Sequence, residues 1–442
     1  MTASFDFRIE WQDAPGVTTP ELAATWARYD LWIGGRCVTQ VETADGTYRR
    51  GVYGSLYPLA SWIASNWWLL TSHVRPTAID TRSWSWQYLR AQPWLRHHNF
   101  RAAGDGMAWP DLTVVPEGAV AQLAWRQEYE RHSGLVRFAS DGRAWLTSED
   151  LRTSLTAIVR RVLDRLEESG LPKTELAEEW RAVGAGDAEE QDFCRTAARL
   201  GLDPYSVTDE TADAIIRAVG TIPAEIADDF FDSVEVAALR SAADWTWKAE
   251  SAAGHAAATV RETIHAIQQS TDMRSLVQAG QTETDRPWLI GFTMARLFRR
   301  ELAASDTDPF DTNSWVGIGH VGESSHGIYG LAAVSDDKCG VVLGNQALGP
   351  DSQRFGQARA LGKVLIRPGQ RKYILSAARP QEERIARAFA AELLAPANGI
   401  QSFLEESVNE DDAMEAAASH FKVSPLVIRH QRDNQLAGQR SF

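Results

Sequence analysis

The chain has 442 residues, more than one ordinary domain needs, so two or three domains are expected. Its 44% apolar and 24% charged residues are those of a folded globular protein, and a net charge of −14 excludes broad non-specific attachment to nucleic acid or anionic membranes. Three well-separated cysteines, Cys37, Cys194 and Cys339, make neither a disulfide framework nor a zinc cluster and point to a reducing compartment. The opening MTASFDFRIEW lacks the basic-then-apolar order of a signal peptide. The most apolar stretch, Leu56 to Leu70, is interrupted by Ser61, Ser65 and Asn66 and is too short to span a bilayer. The expectation is a cytoplasmic protein with no membrane partner.

Residues 1–146 carry twelve of the seventeen tryptophans. Phe5, Phe7, Ile9 and Trp11 alternate as a half-buried strand does, Gly34-Gly35 sits where a hairpin turn belongs, and Asp45-Gly46 marks another turn. Pro58 opens an apolar helix, PLASWIASNWWLL, and strands are expected at Val120–Trp125, Val136–Phe138 and Ala144–Leu146. This composes an α+β domain in which the tryptophans are chiefly core. Its most polar stretch, residues 96–112, holds His97, His98, Asp105 and Asp111. Adjacent histidines diverge on any regular element, so these four form a pocket only in loop geometry. Gly104, Asp105, Gly106 and Pro110 read equally well as turn residues.

Residues 147–275 read as a helical region. Thr147 and Asp150 form a capping pair, and Leu151, Leu155, Ile158, Val162 and Leu166 follow helical spacing to a stop at Gly170-Leu171-Pro172. Further helices are expected near 175–183, 189–200, 209–219 and 224–239, with a long one over 245–268. Residues 193–207 have a helix-turn-helix skeleton, but Asp209, Glu210 and Asp213 on the second helix would repel phosphates, which favours a structural pair.

Residues 285–442 hold the most informative stretch. A helix is expected from Pro287, short strands between Ser314 and Val342, and two strong helices in RFGQARALGKVLI (354–366) and QEERIARAFAAELLAP (381–396). His320 and His326 lie near the strands, without an HxH or HExxH pattern to support ligation. In the tail, Ser424 begins a helix carrying Arg429, His430, Arg432 and Asn434, the surface most compatible with DNA, although such a tail can equally serve packing.

Arg354, Phe355, Ala358, Leu361 and Gly362, followed by Glu383, Ala386, Phe389 to Leu394 and Pro396, resemble the two helical motifs of the ImmA/IrrE family of bacterial zinc peptidases. The resemblance covers about a third of the chain and implies a zincin-like fold with a small sheet and helical tail. It also implies a regulatory setting, since such proteins cleave or control repressors during DNA damage and phage responses. The family's chemical residues are absent. Where two histidines and a glutamate would stand, the chain has Arg359, Lys363 and Ala360; Glu383 survives alone. A guanidinium or ammonium has no lone pair for zinc, and a methyl group cannot act as a base.

The expectation is therefore a pseudo-metallopeptidase with no catalytic residue, metal or cofactor, which binds a protein partner or an anionic ligand rather than cutting peptides. Two readings of the substituted site compete: simple decay, or replacement of the metal cross-link by a salt bridge of Arg359 and Lys363 to Glu383. Two other functions stay open: a DNA-binding regulator using residues 424–434, and an enzyme with its site near His97 and His98.

Overall fold

The alternation at the N-terminus folds as expected: β1 (Phe5–Trp11) pairs antiparallel with β2 (Trp26–Ile33) in a four-stranded sheet with β3 (Arg36–Cys37) and β4 (Val52–Ser55). Gly34 and Gly35, at φ 55° and 78°, make the β2–β3 turn, a conformation that only glycine adopts freely. The computed structural model describes residues 4–14, 16–75, 92–129, 136–259, 263–281, 286–324, 327–335, 338–345, 348–376, 378, 380–406 and 409–436. Helices and small, mainly antiparallel sheets share the chain, which is of the α+β class. It divides into two compact units, Met1–Asp209 and Glu210–Phe442.

In the first unit the apolar helix after Leu56 is two helices, α1 (Tyr57–Ser65) and α2 (Trp67–Ser72). They part at Asn66, whose side chain donates back to the Trp62 carbonyl at 2.8 Å. The short helix α3 (Pro93–His98) precedes a three-stranded sheet of β5 (Asp111–Glu117), β6 (Val120–Arg126) and β7 (Gly142–Thr147). The sequence reading did not anticipate β5, because its residues are buried without alternation and leave no period-two signal. Helix α4 (Ser148–Glu168) starts where the capping pair places it: the Asp150 N–H donates to the Thr147 hydroxyl at 2.9 Å. Its stripe, Leu151 to Leu166, enters the same core as Trp62, Trp109 and Trp125. So do residues of α5 (Glu175–Ala185) and α6 (Ala188–Arg199). The helical region expected as a separate block is thus shared between the two units, because its first helices complete the tryptophan-rich core.

In the second unit α7 (Asp209–Thr221), which begins one residue before the unit boundary, and α8 (Ala224–Phe231) lead to α9 (Leu239–Ala256). The helix expected over 245–268 ends at Ala256, because the next residues form β8 (Ala258–Thr259), which pairs with β11 (Lys338–Leu343). Helix α10 (Thr263–Gln269) and α11 (Thr271–Gln281) then lead to α12 (Pro287–Glu301). Strand β11 sits between β10 (Ile328–Ser335) on one side and both β8 and β9 (Gly317–Gly319) on the other; β12 (Lys372–Ser376) adds to β10. Helix α9 lies directly on this sheet because the strands offer glycines there. A Cβ on Gly340 would stand 2.1 Å from the Ala253 carbonyl oxygen, and one on Gly319 2.7 Å from that of Ala252.

The two motif helices, α13 (Pro350–Ile366) and α14 (Pro380–Leu394), pack against each other, and α14 against α12. Gly362 permits the first contact, since a Cβ would meet Phe389 at 3.0 Å. Gly291 permits the second, its Cβ position lying 2.3 Å from the Ile385 carbonyl oxygen. The tail adds α15 (Ala397–Glu406), α16 (Glu410–Phe421) and α17 (Pro425–Gln431). No helix among the described residues is long and apolar enough to cross a membrane. Gly340→Ala should cost about 1–3 kcal/mol in urea denaturation, as overpacking at a close backbone approach does; an unchanged midpoint would show that α9 can lift off the sheet freely.

Candidate functional site

Three cations stand at four-residue spacing on α13 and the turn after it: Arg359, Lys363 and Arg367. That spacing brings side chains onto one helix face. They meet Glu382 and Glu383, adjacent in the first turn of α14, and Asp229 of α8. Arg359 Nη2 lies 2.6 Å from Glu383 Oε2, and Lys363 Nζ lies 3.2 Å from Glu383 Oε1. The Ser376 backbone N–H also donates to Oε1 at 3.1 Å, so both carboxylate oxygens are engaged. Lys363 is 3.6 Å from Glu382, which Arg367 holds at 2.6 Å while reaching Asp229 at 3.0 Å. Burial alone would push the Glu383 carboxyl up; the Lys363 and Arg359 charges and the hydrogen bonds outweigh it and hold the group below the usual carboxylate range.

The site is nearly dry. Glu383 is 3% exposed, Lys363 2% and Arg359 9%. Ala360, next to Arg359 in the chain and fully buried, contributes only a methyl group. At the edge of this cluster a cleft of about 810 Å³ opens, with Arg359 in its wall. Its other walls are Tyr329, Leu343 and Phe355, and its rim includes Arg387, Leu426 and His430. The Arg359 guanidinium stacks 5.5 Å from the Tyr329 ring centroid. Among the described residues, Arg359 Nε has no hydrogen-bond partner and Nη2 makes all the contacts, to Glu383 and to the Ser376 carbonyl. Among the described residues, the remaining nitrogen, Nη1, makes no hydrogen bond. Tyr329 and Leu426 are 45% and 57% exposed, a large apolar surface at the cleft mouth.

The tail is tied to this core by a second buried carboxylate that sequence reading treated only as part of a motif. Glu392, 1% exposed, accepts from Arg296 at 2.7 Å, Gln431 at 2.7 Å and Gln435 at 2.6 Å. The tail residues read as DNA-compatible do not form one cationic face. His430 lines the cleft, whereas Arg432 is held by Glu410 at 2.8 Å and by Asp433 at 2.7 Å. Arg429 and Asn434 are exposed. Ser424 caps α17 by position, but its hydroxyl makes no cap bond.

In the first unit no hydrogen bond or ion pair joins any two of His97, His98, Asp105 and Asp111. His97 contacts the Asn66 amide oxygen at 2.5 Å. His98 is fully buried, stacked on Trp94 at 4.0 Å, with Nδ1 3.1 Å from the Val114 carbonyl oxygen. Asp111 accepts from Asn99 at 2.7 Å, and Arg101 joins it to Glu128, a buried carboxylate that no motif in the chain singles out. Asp105 is exposed in a turn at φ 55°. These are packing and turn roles. His320 lies at the end of β9, exposed, and His326 lies outside the described residues. Among the described residues, no three His, Cys, Asp or Glu side chains gather as a metal site would require.

Glu383→Ala leaves two buried cations without their shared anion and should cost about 3–5 kcal/mol. Glu383→Gln should cost less, and an unchanged melting temperature for the alanine variant would show that the cluster is solvated. A second prediction concerns the imidazoles. Burial, then the neighbouring His97 charge, holds His73 down at about 4; burial, then His73 and His97, pushes His98 well below 6.5. On unfolding both regain ordinary affinity for protons, so their stabilising effect is complete above about 6.5 and is lost as pH falls toward 4. Stability against pH over that window should therefore be flatter in His73→Gln than in the parent, by about 3 kcal/mol at its acid end. Parallel curves would refute this.

Compared with models of protein families and with curated proteins, the chain matches none.

Proposed function

We propose that the Glu210–Phe442 unit is a regulatory pseudo-metallopeptidase related to the ImmA/IrrE peptidases, which binds a segment of a protein partner and does not cleave it. One observation carries this reading: the positions where a zinc peptidase would need two imidazoles and a base are filled by Arg359, Lys363 and Ala360, and both cations close on Glu383. These residues do not fit a zinc ion. The cations have no lone pair to donate, and the one carboxylate is already saturated by three donors.

The cluster does for the helices what a metal would do. It joins α13 to the start of α14 through opposed charges and leaves the adjoining cleft open. In that cleft an extended segment would lay apolar side chains on Tyr329, Phe355 and Leu426 and turn a carboxylate toward Arg359 and the half-exposed Arg387. An Arg–carboxylate bond formed in such a partly desolvated place is stronger than one on the surface. The resemblance supplies the setting, a repressor or other partner in a stress or phage-defence response. The same geometry favours DNA less, since Arg432 is already neutralised by two carboxylates.

Three measurements test the reading. Purified protein should carry well under one zinc per chain and leave a casein or peptide panel uncut. A panel of extended peptides with one acidic residue between apolar ones should yield binders. Leu426→Asp and Arg387→Ala, both at exposed positions, should each weaken that binding about tenfold with the fold intact. Stoichiometric zinc, specific cleavage, or peptide binding indifferent to both variants would overturn the proposal.

A further inference from the structure

The cleft at Arg359 changes character along its length. Three of its lining residues, Asp351, Phe355 and Arg359, stand four residues apart on α13, so one helix face presents in turn a carboxylate, an aromatic ring and a guanidinium. We infer that the partner segment is dipolar: one face of it carries a basic, an apolar and an acidic side chain at alternate positions, with the two charges four residues apart. This inference rests on the partner-binding role proposed above for the cleft.

The first argument is spacing. Four residues of α-helix rise about 6 Å, and two residues of extended chain advance about 6.6 Å. The two repeats keep step over the roughly 12 Å of helix from Asp351 to Arg359. Alternate side chains of an extended segment point the same way, so three of them can each meet one turn of α13. An odd interval between the charges would send them to opposite faces.

The second argument is charge. At the Arg359 end, among the described residues, four cations (Arg359, Lys363, Arg367 and Arg387) close on three carboxylates, Asp229, Glu382 and Glu383. Arg359 and the half-exposed Arg387 share one oxygen, Glu383 Oε2, at 2.6 and 4.0 Å. A carboxylate from the segment balances that excess. At the other end the sign reverses. Asp351 is exposed in the first turn of α13, where the helix dipole favours a negative charge. Arg354, one turn on, spends its guanidinium on the carbonyl oxygens of Phe310, Phe421 and Lys422. A second exposed carboxylate, Glu323, also lines the cleft, and among the described residues its side chain makes neither hydrogen bond nor ion pair. A lysine or arginine of the segment complements this end. Opposed charges of this kind fix the register of a bound segment more than they add affinity.

The test is fluorescence anisotropy of the full chain with labelled peptides in which threonine alternates with lysine, leucine and glutamate, in that order and in the reverse. At least one order should bind, and at least tenfold more tightly than peptides with the charges three residues apart or with glutamine in place of lysine. Asp351→Asn should abolish the preference for lysine. Asp351→Lys should weaken binding of the lysine peptide about tenfold and favour one with glutamate in its place, with the circular-dichroism spectrum unchanged. Binding indifferent to the spacing, or a lysine preference that survives both variants, would overturn this inference alone. No binding of any peptide in the set would overturn it together with the reading on which it rests.

Discussion

The second unit depends on one buried carboxylate. Glu383 lies where water scarcely reaches, and an isolated charge there would be expelled or neutralised. It stays ionised because Arg359 and Lys363 come from the neighbouring helix and a strand amide supplies a third donor. Each partner needs the others: the two cations are themselves nearly buried, and neither has another carboxylate as close. Such a cluster is weak evidence of added stability over an apolar core, yet it is unforgiving of the loss of one member. It therefore specifies how α13 and α14 meet more than how strongly they hold. Gly362 works to the same end by letting Phe389 approach the helix backbone.

Around that pair the unit repeats one device, a buried polar side chain satisfied from several directions. Glu392 gathers Arg296, Gln431 and Gln435, and so anchors the tail. Arg299, 1% exposed, donates to the carbonyls of Leu393 and Asp308. Gln357 donates to the Val316 carbonyl while accepting from Thr312. These bonds hold loops that have little apolar surface to bury. A cleft flanked by such elements is largely pre-formed, which lowers the ordering cost of binding there.

The tryptophan-rich unit is built on the opposite plan. Most of its described indoles fill the core beneath three small sheets, and of those Trp67 and Trp68, with the partly buried Trp180, also line a cleft. The same residue type serves both purposes because an indole is apolar across its faces and polar at one edge. The cleft at Arg359 is mainly apolar, with Arg359 and Arg387 and the carboxylates of Glu323 and Asp351 among its lining residues.

Much of this was legible in the residues. Helical spacing marked α13, α14 and α4, glycine pairs marked the hairpin turns, and the four-residue interval from Arg359 to Lys363 declared that both cations share a face. A one-dimensional pattern carries such local facts because they depend on neighbours three or four residues away. Strand β5 was not legible, since burial on all sides erases alternation. Nor was the end of α9 at Ala256, which a strand more than eighty residues later dictates by pairing with Ala258 and Thr259. The sequence alone determined that Arg359, Ala360 and Lys363 can supply neither zinc ligands nor a base, because that follows from which atoms carry lone pairs. Only the tertiary structure decided that Arg359 and Lys363 close on Glu383, and that Arg367 and Asp229 extend the cluster. Those are contacts between segments far apart in the chain, and no local spacing encodes them.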